Sequence, residues 1–149
     1  MPIDKDTRKV WAVREIDAPA ADIFAILADP TRHQEIDGSG TVQGTSGESS
    51  RQLQLGDKFG MKMKWGVPYS VKSTVKEFEQ DRLIAWSHFG GHRWRYELEP
   101  IDEQHTKVTE TFDYSTALTP WAYEWANIPD GHEGNIEATL ERLDAVASD

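Results

Sequence analysis

The chain has 149 residues, 38% hydrophobic and 28% charged, which fits one soluble globular domain with a single core. A formal net charge of −10 argues against nucleic acid and anionic membrane surfaces, whose phosphates demand clustered Lys and Arg. With no cysteine, disulfides, thiol nucleophiles and thiolate metal sites are excluded. No apolar leader and no run near the ~20 residues of a membrane span are present, so the expected location is cytoplasmic, without membrane insertion.

From Arg8 to Asp17 the pattern is a strand, with Val10, Ala12, Arg14 and Ile16 on one face and Trp11, Val13 and Glu15 on the other. Ala18-Pro19 opens a helix whose apolar side carries Ile23, Phe24 and Leu27. Asp29-Pro30 repeats the signal, Asp as N-cap and Pro as first residue, for a second short helix through about Ile36. Asp37-Gly38-Ser39-Gly40 ends this pair, and Thr41-Val42-Gln43 is at most a short edge strand. Gly44 to Ser50 reads as a flexible connection, because neither a helix nor a Lys-Ser/Thr pair follows its glycines.

Leu55 to Trp65 alternates, sending Phe59, Met61, Met63 and Trp65 inward and Lys62 and Lys64 outward. After a turn at Gly66-Val67-Pro68, Tyr69 to Glu79 forms a strand with Val71, Ser73 and Val75 on one face. Phe78 breaks that phase, which predicts a bulge near Lys76-Glu77. Leu83 to Leu98 is the strongest local feature, two strand-forming runs around Gly90-Gly91, as in a two-residue hairpin turn. That turn predicts an inner face pairing Phe89 with His92, Ser87 with Trp94, Ala85 with Tyr96 and Leu83 with Leu98. It sets Trp86 against Arg95 and Ile84 against Glu97 on the outer face. Thr106 to Ser115 is a further strand with Val108, Glu110, Phe112 and Tyr114 on one face. Pairing Leu98 with Val108 sets Tyr96 beside Glu110 and Trp94 beside Phe112.

Trp121 to Trp125 is a short helical segment ended by Ile128-Pro129, either a lid or a packed connector. Asp130 to Glu133 has the form of an N-terminal cap. Ile136, Leu140, Leu143 and Ala147 then make one stripe of a long amphipathic helix. A curved sheet laid over that helix buries both apolar faces and leaves a cavity between them.

Three groups of residues carry a resemblance. Ile16-Asp17-Ala18-Pro19 is followed by Ile23-Phe24 and Leu27-Ala28-Asp29-Pro30; Val75-Lys76-Glu77-Phe78-Glu79 by Arg82-Leu83-Ile84-Ala85-Trp86; and Leu98-Glu99-Pro100 by Thr106-Lys107-Val108-Thr109. Together, from Arg8 to Val146, they resemble the START-related SRPBCC superfamily in its polyketide cyclase/dehydrase and lipid-transport branch. The resemblance implies an α+β helix-grip fold with residues 1–149 as a single domain. A curved antiparallel sheet of about six or seven strands would surround the long C-terminal helix, with two short helices after the first strand. It further implies a deep cavity for lipids, polyketides, sterols or other hydrophobic small molecules. A lipocalin-type barrel also ends in a helix, but it lacks the helices inserted after the first strand.

The wall of that cavity is expected to comprise Phe59, Met61, Met63, Ser87, Phe89, His92, Trp94, Tyr96, Phe112 and Tyr114, with Ile136 and Leu140 from the helix. Glu110 is the candidate for chemistry, since a buried carboxylate is costly unless paired. In the resembling fold the first strand lies beside the last, and Ile16 near Val108 would set Arg14 near Glu110. Two readings stay open. An Arg14–Glu110–Tyr96 cluster orients a ligand or, with the raised pKa such a carboxyl can have, moves a proton. Alternatively, Arg14 and Glu110 form a closed ion pair that satisfies only itself.

His88 and His92 straddle the hairpin turn without a third ligand, so neither metal nor cofactor is expected. His33, His105 and His132 read as solvated, Asp29 and Asp37 as cap and turn residues, and Trp86–Arg95 as an outer-face cation–π pair. The expected function is binding or transport of a hydrophobic small molecule by a monomer or homodimer. Behind it stands a cyclase/aromatase-type enzyme using Glu110, Tyr96, Tyr114, Ser87 and Arg14. A chaperone-regulator-like interaction module comes third. No recognisable catalytic constellation is present, and fold does not choose among these.

Overall fold

The computed structural model describes residues 3–4, 8–36, 42–45, 52–65, 67–87, 92–116 and 128–148. For 3–4, 34, 42–45, 61–65, 67–71 and 128–134 it describes the backbone alone. In chain order the strands are β1 (Ile3–Asp4), β2 (Lys9–Ile16), β3 (Val42–Thr45), β4 (Lys58–Trp65), β5 (Val67–Glu79), β6 (Leu83–Ser87), β7 (Arg93–Pro100) and β8 (Thr106–Asp113). The helices are α1 (Ala20–Leu27), α2 (His33–Ile36) and α3 (Ile128–Ala147), with a 3-10 turn at Pro30–Arg32 leading into α2. Among the described residues these strands make one curved antiparallel sheet in the order β1-β2-β8-β7-β6-β5-β4-β3. β1 and β3 are short pieces at its two edges. The α+β helix-grip layout expected from the sequence is present.

Local chemistry explains the entry to this fold. Pro19 stands at the N-cap of α1 in extended conformation, and the Asp29 carboxylate accepts the Thr31 N–H at 3.0 Å to start the turn at Pro30. α3 begins at Ile128 rather than at Asp130. Pro129 falls in its first turn, where the absent N–H removes no helical hydrogen bond. Ile136, Leu140 and Leu143 are buried as their spacing requires. The helix packs on β2, β8, α1 and α2, and its stripe joins one core with Val10, Ala12 and Ile16 of β2 and with Ile23, Phe24 and Leu27 of α1. The bulge in β5 lies between Val75 and Glu77, which returns Phe78 to the inner face.

The hairpin register differs from the two-residue-turn expectation by one residue. Leu83 pairs with Glu97, Ile84 with Tyr96, Ala85 with Arg95 and Trp86 with Trp94. A one-residue slip exchanges the faces of a strand, so Trp86 and Ile84 turn inward while Ala85 and Ser87 turn outward. A turn dictates register only where pairing continues into it. Here the described strands end at Ser87 and restart at Arg93, and the apolar gain of facing Trp86 with Trp94 sets the alignment instead. The β7–β8 register agrees with the expectation: Leu98 pairs with Val108, Tyr96 with Glu110 and Trp94 with Phe112.

The β2–β8 pairing also differs, by two residues. Ile16 meets Thr106, Arg14 meets Val108 and Ala12 meets Glu110. The buried Thr106 hydroxyl donates to the Ala18 carbonyl at 2.9 Å, which fixes the end of β8 against the chain leaving β2. Phe89, His88, Asp37 and Trp121 to Trp125 lie outside the described residues, as do the side chains of Met61, Met63, Trp65 and His132.

Candidate functional site

Two transverse rows of side chains make the inner wall. The first runs Val75, Trp86, Trp94, Phe112, Val10, and the second Phe78, Ile84, Tyr96, Glu110, Ala12, each residue facing the next across neighbouring strands. Trp86 and Trp94 are only half-buried although they sit on this inner face, whereas Phe112, Tyr96 and Glu110 are buried. Trp94 contacts Phe112 at 4.8 Å between ring centroids, and Phe112 in turn meets His92 at 5.1 Å and Tyr114 at 6.0 Å. His92, Trp94, Tyr96, Phe112 and Tyr114 therefore gather as expected, with Phe59 farther along the wall.

Glu110 is the one carboxylate in the second row. It is 2% exposed, faces the Tyr96 position on one side and the small Ala12 on the other, and its Oε1 accepts no hydrogen bond among the described residues. Arg14 does not join it. The Arg14 guanidinium reaches from β2 to α3, where its Nε donates to Asp144 Oδ2 at 2.8 Å on an exposed surface. The Arg14–Glu110–Tyr96 cluster is thus replaced by Glu110 and Tyr96 on the wall and an Arg14–Asp144 tie at its border. The cause is the two-residue β2–β8 offset, which places Ala12 where Arg14 was expected.

Ser87 is likewise not part of this wall. The hairpin offset puts it on the opposite face from Trp94, paired with Thr74. Trp86, assigned to the outer face from the turn, belongs to the wall, and it has an unexpected partner. His33 is buried and stacks on Trp86 at 4.7 Å with planes 18° apart. The same ring meets Phe59 edge-on at 5.4 Å. His33 Nε2 lies 2.7 Å from the Leu27 carbonyl. A carbonyl only accepts, so Nε2 carries the proton and the imidazole caps the end of α1. His33 is not a surface residue. The signal was available: Pro30, His33 and Ile36 recur every third residue and share one buried side of the turn.

The outer face is polar and self-paired. Arg95 donates through Nε to Glu77 Oε1 at 3.1 Å and through Nη2 to Oε2 at 2.8 Å, and Arg93 adds a third bond at 3.0 Å. Burial pushes the Glu77 carboxyl up, but the hydrogen bonds from Arg95 and Arg93 and their charges outweigh it and hold the pKa below the ordinary value. Arg95 is therefore engaged with an acid rather than with Trp86. A polar cleft of about 340 Å3 also opens on this face, where Glu79, Glu97 and Glu99 stand near Arg82 and Lys107. Its charges are mixed and it lies away from the aromatic wall.

A curved antiparallel sheet gripping a long C-terminal helix, with helices inserted after the first long strand, defines a START-related protein of the SRPBCC superfamily. Residues 7–148 match the model of the polyketide cyclase/dehydrase and lipid transport family, and the chain belongs to that family. An uncharacterised protein of Mycobacterium tuberculosis, Rv0088, is 43% identical over 146 residues, covering 95% of this chain and 65% of its own length. The chain thus spans about two thirds of the curated relatives it matches, 65% of their length. Among solved structures, protein Ms6760 of Mycobacterium smegmatis superposes with a TM-score of 0.72 at 17% identity, over 97% of this chain and 94% of that one. An AHSA1-like protein of Aeromonas hydrophila gives 0.66 at 18% identity, over 95% of each chain. These two likenesses speak for the fold alone.

Proposed function

We propose that this protein binds or carries a hydrophobic small molecule, lipid- or polyketide-like, against the inner wall between the sheet and α3. One observation carries this reading. Trp86 and Trp94 face each other across β6 and β7 on the inner face yet remain only partly buried, which leaves part of their apolar surface accessible there. Family membership supports the same class of ligand. His92, Phe59, Phe112, Tyr114, Ile136 and Leu140 supply the surrounding apolar contacts.

Native mass spectrometry of the protein purified from cells and then offered a mixed lipid extract tests this. A retained adduct of a few hundred daltons, lost on Trp94→Ala, is expected; a bare protein under both conditions would sink the proposal. Glu110 favours a second reading, a cyclase-type enzyme, because a carboxylate beside a phenol among aromatic rings is placed for general base chemistry. That reading requires turnover of a polyketide substrate that Glu110→Gln abolishes.

A further inference from the structure

The corner where β2 leads into α1 is held by ties of different chemistry. The Ala18 N–H donates to the Ile16 carbonyl at 2.9 Å and turns the chain out of the strand. The Thr106 hydroxyl donates to the Ala18 carbonyl, also at 2.9 Å. The remaining tie is ionic: His105 Nε2 stands 3.5 Å from Asp17 Oδ1, while Nδ1 of the same ring lies 2.7 Å from Asp102 Oδ1. Register explains this contact. The β2–β8 ladder ends on Ile16–Thr106, so Asp17 and His105 come next across from each other, in phase with the cross-strand pair Glu15–Lys107. The loop that carries His105 is stiffened by its own bonds, Ile101 N–H to the His105 carbonyl at 2.9 Å and Gln104 N–H to Asp102 Oδ1 at 2.8 Å. An imidazole donates to two carboxylates only when both nitrogens carry protons; in the neutral ring one nitrogen keeps a lone pair, which repels the carboxylate it faces.

We propose that His105 is a pH-sensitive staple, which holds the Asp17 corner to the β7–β8 loop when its ring is doubly protonated and releases that corner when the ring loses a proton. The proton it loses is the one facing Asp17, because Asp102 meets Nδ1 with both carboxylate oxygens, at 2.7 and 2.9 Å, and keeps the other. The charged groups on the surrounding elements are Asp102 and Glu103 in the loop, Glu15 and Asp17 at the end of β2, Asp22 in the first turn of α1 and Lys107 at the start of β8. All but Lys107 are acidic and favour the imidazolium, and the Lys107 ammonium pairs with Glu99 at 3.8 Å. The Asp102 hydrogen bond, then the Asp102 charge, and after them Asp17 and Glu15 raise the His105 pKa against its desolvation. The staple is therefore closed below the folded pKa and opens as pH rises through it. The Thr106 and Ala18 hydrogen bonds do not titrate in this range, so the corner loosens while the fold stays.

The test is an NMR titration of the whole chain from about pH 5 to 9, the range in which a histidine changes charge. The backbone amide shifts of Ala18 and Thr106 are expected to move with the same midpoint as the His105 ring. Asp17→Asn is expected to lower the His105 midpoint by about half a pH unit, the size of an exposed ion pair, and to uncouple the Ala18 amide from it. Glu15→Gln, which alters the local charge without touching the ring contact, should move the midpoint less and leave the coupling intact. His105→Gln should make both amides indifferent to pH over this range. The Asp17 and His105 side chains are 81% and 48% exposed, so these substitutions spare the core. Amides that ignore the His105 midpoint in the unmodified chain overturn the proposal without any variant. So does a midpoint unmoved by Asp17→Asn, or one moved as far by Glu15→Gln, which assigns the effect to the general field. Amides that still titrate in His105→Gln overturn it as well, since another group then drives them.

Discussion

Glu77 and Arg95 are joined across a strand that belongs to neither of them. Glu77 lies on β5 and Arg95 on β7, and Ala85 of β6 sits between them in register with both. The bidentate pair closes over the Ala85 methyl, which is fully buried although it is on the outer face. A small residue is needed there, because any longer side chain occupies the path of the ion pair. Ala85→Leu should therefore force the pair apart and destabilise the fold by about 1–3 kcal/mol, in the range of overpacking. A urea midpoint equal to that of the wild type would show that the pair moves aside freely.

The same cluster fixes a direction of pH dependence. The Glu77 carboxyl is held below its ordinary pKa in the folded chain. Its contribution is therefore present above the unfolded carboxylate value and is lost as pH falls through the folded one. Glu77→Gln should flatten this part of the acid limb of the stability curve and lower stability at neutral pH. Urea midpoints of both proteins from neutral to acid pH should converge as the acid end is approached.

His105 works in the opposite direction. Its ring Nδ1 lies 2.7 Å from Asp102 Oδ1, and that hydrogen bond, then the Asp102 charge, raises the imidazole pKa. A raised histidine stabilises below its unfolded value, near pH 6.5, and loses this as pH rises through the folded one. Because the pair is exposed, the effect on stability is small and the clean readout is local. In an NMR titration, Asp102→Asn should move the His105 midpoint downward; an unmoved midpoint would refute the pairing.

How far the sequence led can be judged from particular residues. The two helical segments after the first long strand, the β5 bulge and the Ile136–Leu140–Leu143 stripe were legible because each depends on neighbours in the chain: a Pro, a Cap residue, a period. The β7–β8 register was legible for a related reason, since Glu110 and Tyr96 follow from apolar alternation alone. The hairpin was not. Its Gly-Gly pair promised an alignment one residue away from the one Trp86 and Trp94 impose, and parity carried the error to Ser87 and Trp86. Arg14 was misplaced because nothing local specifies the offset between β2 and β8, strands far apart in sequence. His33 was missed because its burial shows only in the three-residue spacing it shares with Pro30 and Ile36, a weaker sign than a long helical stripe.

His33 is also the point where the short helices grip the aromatic wall, so it yields the sharpest test of that wall. Its ring does two things: it stacks on Trp86, and its Nε2 proton caps the Leu27 carbonyl. Substitution separates them. His33→Ala removes the stack, the edge contact with Phe59 and the cap, and should cost about 2–4 kcal/mol. His33→Phe keeps the ring but leaves the Leu27 carbonyl without this donor, and should cost about 1–2 kcal/mol. Denaturant unfolding measures both, while tryptophan emission reports the surroundings of Trp86. If the two variants are equally destabilised, the cap alone holds α2 in place. If Phe matches the wild type, the stack does, and the wall at Trp86 depends on ring packing rather than on the imidazole proton.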